Sequence, residues 1–387
     1  MPGRYNFVEV GFWDAWHDRR VSSTPSSSAI KTDRQLLPFL VCLRLIASGP
    51  DLSALEAALD RIVHAARAEV GVSLIHVESG ARFAIHGNQL FPMASVNKLP
   101  IALELLAQIS EGRLSLDRPV AIGPSDIRAC CTLSRRHPNG GVSLSAAELL
   151  ELMMIDSDNT AADAVLKLVG GPAVVQARLR ALGFDAININ RYEGEINFEM
   201  TGVLSPPPQE QWTLELQRRL IDEVPRAALL AARARYTTDA RDTGTPDDMA
   251  RFLGRLQLYD LLPRASTDLL LDLMARAKTG PRRLKALLPP DAIVAHKTGT
   301  TDVVTNDVGI ITLPENGAVR GHLVVAAFVM NGRRAASMQR TIAQLGGAAY
   351  EFCTGRPLPP REKPKAASRG TRGRRAGRAP KRARPHQ

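Results

Sequence analysis

The 387-residue chain has little cysteine: four residues, none in a CxxC or Cys/His spacing. Four thiols cannot scaffold a chain of this length, and without ligand spacing they exclude a structural zinc site. Cys130 and Cys131 are adjacent, an arrangement that meets ordinary disulfide geometry only under strain, so the cysteines are expected to be buried or idle thiols. The eight histidines form no metal-ligand pattern, no glycine-rich phosphate loop occurs, and no segment repeats. Long apolar runs are missing too. The run Leu36-Leu37-Pro38-Phe39-Leu40-Val41-Cys42-Leu43, which Arg44 interrupts, is too short to span a bilayer. Apolar residues nevertheless make up 44% of the chain, which supports a full core and excludes disorder throughout.

Most of the chain also lacks an excess of either charge. Residues 1–355 hold 38 basic and 38 acidic side chains, while residues 356–387 hold twelve lysines and arginines against Glu362 alone and so carry the whole formal excess of +11. The basic character belongs to a tail. Rich in Arg, Pro, Gly and Ala, that tail cannot bury a core and is expected to be disordered. It is either a contact for anionic polymers or lipids, or simply solvated.

Three regions follow: an N-terminal extension over 1–50, a folded domain over 51–355 and the tail over 356–387. In the extension, Lys31 and Arg34 precede the apolar run and Ala47-Ser48-Gly49 follows it. The segment reads either as the apolar region of an export signal, which would place the protein in the periplasm or outside the cell, or as an extension unrelated to export. In the domain, Leu52–Ala66 has helical apolar spacing. Val70–Val77 and Ala81–Ile85 read as a hairpin turning at Glu78-Ser79-Gly80. Helices are predicted over Ser95–Ser110, Ser145–Ile155, Asn159–Val169 and Pro172–Leu182, the last opened by Pro172 after two glycines. Strands are predicted at Ala292–His296, Val308–Leu313 and His322–Met330, with a closing helix at Ala335–Phe352. Strands at both ends with helices between them predict an α/β (α+β) fold: an antiparallel sheet with packing helices and an inserted all-α lobe.

Ser95 and Lys98, three apart, share one helical face. A lysine kept neutral by desolvation can take the proton of a neighbouring hydroxyl. Alone, the pair reads as readily as a capping serine and a solvated lysine. Two further elements change that reading: Ser157-Asp158-Asn159 between two helices, and Lys297-Thr298-Gly299 after an apolar strand. The three in this order are the signature of class A β-lactamases and penicillin-binding proteins. More of the chain resembles the class A β-lactamases: Phe91-Pro92-Met93-Ala94 before the serine, the run from Ser157 through Ala162 on to Pro172, Arg191-Tyr192-Glu193-Gly194-Glu195-Ile196-Asn197, Asp242-Thr243-Gly244-Thr245-Pro246, and Thr279 to Lys285.

The resemblance implies a β-lactamase/transpeptidase-like fold and a monomer acting on a small β-lactam through an acyl-Ser95 intermediate, with no metal and no cofactor. It makes Ser95 the nucleophile, Lys98 its base or proton relay, and Ser157 the proton donor to the β-lactam nitrogen. Glu193, with Asn197, would activate the deacylating water. Asn159 would hold the substrate amide. Lys297, Thr298, Gly299 and Thr300 would form the substrate-binding strand, with the backbone N–H groups of Ser95 and Thr300 as oxyanion hole. Arg283 is a candidate for the substrate carboxylate, because Val308 stands where the family's other arginine is usual. Arg191 and Asp242 are expected to pair across the Ω-loop. His296 reads as a strand residue.

The chain departs from the family pattern in three places. Gly194 replaces a usual proline, no cysteine follows the nucleophile, and 44 residues separate Asn197 from Asp242. That insertion carries Pro206-Pro207-Pro208, Trp212, Leu214 and Leu216, and is expected to pack over the cleft as a gate or to shift Glu193. Two other readings stand beside the β-lactamase: a DD-peptidase-like or other serine acyl hydrolase on the same fold, and a non-enzymatic envelope or polyanion-binding protein that uses the tail.

Overall fold

The computed structural model describes residues 52–315 and 318–358. The apolar run of the extension and nearly all of the basic tail lie outside the described residues. Nine strands and twelve α-helices are present among the described residues.

A five-stranded antiparallel sheet is built from β1 (Glu69–His76), β2 (Arg82–Ile85), β7 (Val294–Thr300), β8 (Val304–Glu315) and β9 (Ala318–Met330), in the order β2-β1-β9-β8-β7. β9 lies at the centre, pairing with β1 from Glu69↔Met330 to His76↔Leu323 and with β8 on its other side. One face is covered by α1 (Ser53–Ala65) and the closing helix α12 (Ala335–Thr354). Leu323, Val325, Ala327 and Val329 pack there with Leu55, Leu59, Ile342 and Leu345. The alternate residues Val324, Ala326, Phe328 and Met330 face the other way, into the main core. A strand covered on both faces needs no polar alternation, which explains the unbroken apolar run in its sequence.

Between β2 and β7 the chain forms the helical lobe, as the sequence predicts. Its axis is α2 (Lys98–Ser110), buried at every position from Lys98 to Gln108; a helix apolar on all sides belongs in an interior. With it stand α3 (Cys131–Arg136), α4 (Ala146–Glu151), α5 (Asn159–Leu168), α6 (Pro172–Ala181), α7 (Glu193–Thr201) and α11 (Arg264–Ala275), while α10 (Pro246–Gln257) packs on the sheet against β1, β8 and β9. Ser145 and Glu148 form a capping box that starts α4, and Asp158 caps α5 by accepting the Ala161 N–H. Two short ladders complete the lobe: β3 (Phe91–Pro92) with β6 (Thr243–Gly244), and β4 (Pro119–Ile122) with β5 (Val142–Ser145).

The structure corrects the sequence reading in three places. The strands extend further than their apolar runs: β7 continues through Lys297-Thr298-Gly299 to Thr300, and β8 begins at Val304 and includes the buried polar residues Thr305, Asn306 and Asp307. Apolar patterning misses such positions because buried polar side chains interrupt the apolar run. Cys130 and Cys131 are joined in a disulfide, not idle. Cys131 takes a left-handed backbone, φ +78°, and the turn at the head of α3 brings the two neighbouring sulfurs together.

The insertion is placed otherwise than a simple cover. It forms α8 (Leu214–Asp222) and α9 (Arg226–Tyr236). Several of its apolar residues turn into the body while Leu204 and Leu230 stay exposed, and Arg233 of α9 pairs with Asp302 in the turn between β7 and β8. Trp212 stacks edge-on against Phe198 of α7, Leu214 and Tyr236 join the main core, and Leu216 is half-buried. An amphipathic helix places its apolar stripe on the nearest apolar surface, and α7 supplies one.

Candidate active site

Ser95 lies in a 3-10 turn, Ala94–Asn97, that leads into α2. Three contacts fix its approach. Ala94 is left-handed, φ +46°. The Asn306 side-chain amide donates to the carbonyls of Pro92 and Met93 at 2.9 and 3.0 Å, and the Met93 N–H donates to the Asp242 carbonyl at 3.0 Å. Gly299 lets β7 pass close alongside: a Cβ there would stand 2.3 Å from the Met93 carbonyl oxygen and 3.2 Å from the Ala94 Cβ. β7 can lie against the turn of Ser95 only because position 299 has no side chain.

Lys98 is the hub. Its ammonium is fully buried and donates to Ser95 Oγ at 3.0 Å, the Ser157 carbonyl at 2.7 Å and Asn159 Oδ1 at 2.6 Å, with Ser157 Oγ at 3.4 Å and Glu193 Oε1 at 3.9 Å. Ser157 reaches it from a left-handed residue, φ +59°, at the end of the π-turn Leu152–Asp156. Asp158 holds that turn by accepting the Leu133 N–H at 2.8 Å. From the opposite side Lys297 donates to Ser157 Oγ at 2.8 Å. Thr298 Oγ1 meets Thr279 Oγ1 at 2.7 Å.

Two buried ammonium groups thus share one hydroxyl. Burial pushes Lys98 below its ordinary value, against the pull of Glu193, Asp158 and Asp163. Burial, and then the charge of Lys98, push Lys297 well below. A desolvated lysine beside a second cation releases its proton more readily. An anion arriving at Lys297 favours the charged form there.

Glu193 opens α7, buried, with Oε1 lacking a protein hydrogen-bond partner. Asn197 lies one turn further along the same helix, half-buried. The expected ion pair forms behind them: Arg191 Nε to Asp242 Oδ2 at 2.7 Å, with Asp242 Oδ1 also accepting the N–H groups of Asn190 and Arg191. Arg283 is placed differently from the expectation of a carboxylate-binding side chain. It is buried behind β7, donating to the carbonyls of Gly299 and Asn306 and, at 2.6 Å, to Thr300 Oγ1. His296 faces away from Lys297 along the strand, paired with Asp307 at 2.8 Å.

Sequence reasoning missed Asp163, Asn306 and Arg128. Asp163 stands one residue beyond the matching run from Ser157 to Ala162, on the same face of α5 as Asn159. Its position four residues after Asn159 was the available signal.

A serine hydroxyl beside a buried lysine, a second hydroxyl, a second buried ammonium and a separate carboxylate are the groups that serine acyl hydrolysis calls for. A sequence model of the β-lactamase enzyme family matches residues 54–353. β-Lactamase VEB-1 of Pseudomonas aeruginosa is 28% identical over 327 residues, covering 81% of this chain and 95% of that protein. β-Lactamase L2 of Stenotrophomonas maltophilia is 30% identical over 307 residues, covering 78% and 88%. Among solved structures, a β-lactamase from Chitinophaga pinensis superposes with TM-score 0.63 at 30% identity, covering 77% of this chain and 99% of that one. An ancestral class A β-lactamase gives 0.61 at 30% identity, covering 76% and 97%. The chain belongs to the β-lactamase enzyme family, and within it to class A.

Proposed function

We propose that β-lactam hydrolysis is carried here by Ser95, Lys98, Ser157 and Glu193. Ser95 Oγ attacks the lactam carbonyl as neutral Lys98 takes its proton. The oxyanion rests on the backbone N–H groups of Ser95 and Thr300. The C–N bond then breaks and Ser157 Oγ protonates the departing nitrogen, with Lys98 and Lys297 beside it to restore the proton. In the second half Glu193 takes a proton from water as the water attacks the acyl ester, and Ser95 Oγ recovers a proton as it leaves. Lys297 and the Thr298 hydroxyl hold the substrate carboxylate, Asn159 holds its side-chain amide, and Asn197 helps Glu193 place the water. Arg283 contributes through Thr300, by fixing that hydroxyl and the end of β7.

One observation carries this reading: Lys98 Nζ lies within hydrogen-bond reach of Ser95 Oγ, while a buried carboxylate with an unpartnered oxygen stands 3.9 Å from the same nitrogen. The first arrangement serves acylation and the second serves hydrolysis of the acyl-enzyme. The presence of Glu193 favours a β-lactamase over a DD-peptidase-like enzyme, which would retain its acyl group. The test is turnover of a chromogenic cephalosporin together with intact-mass measurement. The wild type is expected to turn over, with a slow β-lactam leaving one adduct on the peptide containing Ser95. Turnover by Ser95→Ala at the wild-type rate would sink the assignment.

The same reading takes residues 51–355 as the catalytic domain of a monomer, and the apolar run at 36–43 as part of an export signal to the periplasm or beyond. It takes the tail as a contact for polyanions that chemistry does not need. Because Leu358 packs against the core beside Gly347, a truncation testing this ends after Leu358. It is expected to keep kcat/KM within a few-fold and to lose salt-dependent binding to polyanions.

A further inference from the structure

Gly194 follows Glu193, and the space a side chain would take is already filled. A Cβ there would stand 2.6 Å from Arg128 Nε and 2.8 Å from Trp212 Cζ3. Behind both lies Asp163, buried in α5. Its Oδ1 accepts the Glu193 N–H at 2.6 Å, and its Oδ2 accepts the Gly194 N–H at 3.2 Å and Arg128 Nε at 2.6 Å. One carboxylate therefore holds the backbone that carries the deacylating base. Arg128 also donates to the Ser125 carbonyl at 2.8 Å, and its guanidinium lies 5.2 Å from the Trp212 ring centre. Trp212 is fixed in turn by its indole N–H on the Pro207 carbonyl at 2.7 Å and by its contact with Phe198 of α7. Gln217 of α8 donates to the Ile127 carbonyl at 2.6 Å, tying the insertion to the loop that carries Arg128.

We propose that Arg128 and Trp212 are positioning residues for deacylation: the insertion acts as a buttress that keeps Arg128 on Asp163, and Asp163 keeps Glu193 in place. The proposal rests on the reading of Glu193 as deacylating base. A buried carboxylate without its cation takes up a proton or moves toward water. Either change removes an acceptor from the Glu193 or Gly194 N–H. A displacement of about 1 Å at a catalytic group costs on the order of 10²-fold in rate. None of these hydrogen bonds runs to Ser95, Ser157 or Lys297, and Lys98 meets the chain of residues only at 3.9 Å from Glu193 and through the charges of Glu193 and Asp163, so acylation should change far less than deacylation.

The experiment measures acylation and deacylation separately, by rapid-mixing kinetics and by the decay of the acyl-enzyme in intact mass spectra, with melting temperature recorded for each variant. Arg128→Ala and Trp212→Ala are expected to accumulate acyl-enzyme and to deacylate about 10²-fold more slowly. Arg128→Lys should fall between wild type and Arg128→Ala. The double variant Arg128→Ala/Asp163→Asn should regain part of the deacylation rate, because the neutral amide oxygen can still accept the Glu193 N–H without needing a cation, while its Nδ2 cannot accept the Gly194 N–H.

Wild-type deacylation in folded Trp212→Ala and Arg128→Ala overturns the proposal, as does an equal slowing of both steps. A double variant no faster than Arg128→Ala overturns the electrostatic part. If the alanine variants do not fold, Arg128→Lys and Trp212→Phe decide: selectively slowed deacylation supports the proposal and an unchanged rate overturns it. Normal turnover by Glu193→Gln would instead bring down the reading of Glu193, a result that none of the Arg128 variants can imitate.

Discussion

Lys297 donates to Ser157 Oγ across 2.8 Å, and this hydrogen bond joins residues 140 positions apart, one on the end strand of the sheet and one on the helical lobe. The candidate site lies at the seam between sheet and lobe. Each side brings a buried ammonium to the same hydroxyl, and the charge of Lys98 helps push Lys297 below its ordinary value.

The titration of Lys98 yields the first prediction. Glu193 is the leading charge that holds the proton on Lys98 against the effect of burial. Glu193→Gln removes that charge, so the pKa of Lys98 falls further and more of it is neutral at a given pH. The acid limb of the acylation rate should therefore move to lower pH. Deacylation should fall by about 10²–10⁴-fold, the usual worth of a general base. Rapid-mixing kinetics across a pH series checks both. An acid limb that moves upward would mean that Lys98 is not the group being read.

The Ω-loop closure offers a stability test. Asp242 is 2% exposed and serves Arg191, two backbone N–H groups and, through its own carbonyl, the Met93 N–H. Asp242→Ala leaves the Nε of the buried Arg191 and two backbone N–H groups without their acceptor, although Glu199 and Asp239 still pair with Nη1, and should cost about 2–4 kcal/mol. Denaturant unfolding measures the loss, and a cost under about 1 kcal/mol would place the pair among weak surface bridges.

Gly299→Ala probes the seam directly. The added methyl would meet the Met93 carbonyl, which Asn306 holds in place, so relief requires moving either β7 or the turn of Ser95. Overpacking of this kind costs about 1–3 kcal/mol. The shift also separates the two N–H groups of the oxyanion hole, so acylation should fall more steeply than the melting temperature suggests. Equal kcat/KM in the variant would show that the strand has freedom the close approach denies.

The meeting of Ser95, Lys98, Ser157 and Lys297 was legible in the sequence because the chemistry of acyl transfer asks for these residue types and the three motifs stand in the matching order. The sheet and the helical lobe were legible because α2 and β9 are apolar in the patterns their burial demands. What stayed hidden acts through backbone atoms far along the chain. Asn306 holds the carbonyls of Pro92 and Met93, and Arg128 works through Asp163 upon Glu193; neither residue forms a local pattern. Thr305, Asn306 and Asp307 even shorten the apparent strand, since a polar interruption reads as an end. The place of the insertion stayed hidden because its apolar residues mark it as a surface-coverer without saying which surface it covers.

The central strand of the sheet is also the last to be made. β1 leaves the ribosome more than two hundred residues before Met330, its register partner at Glu69, and until β9 arrives one edge of the β1–β2 hairpin has no neighbour. A nascent chain therefore carries an unpaired strand through most of its synthesis, a state prone to association with other chains. A premature stop anywhere before β9 yields no smaller enzyme: it removes the strand that holds both halves of the sheet together, and the helical lobe is left without its floor.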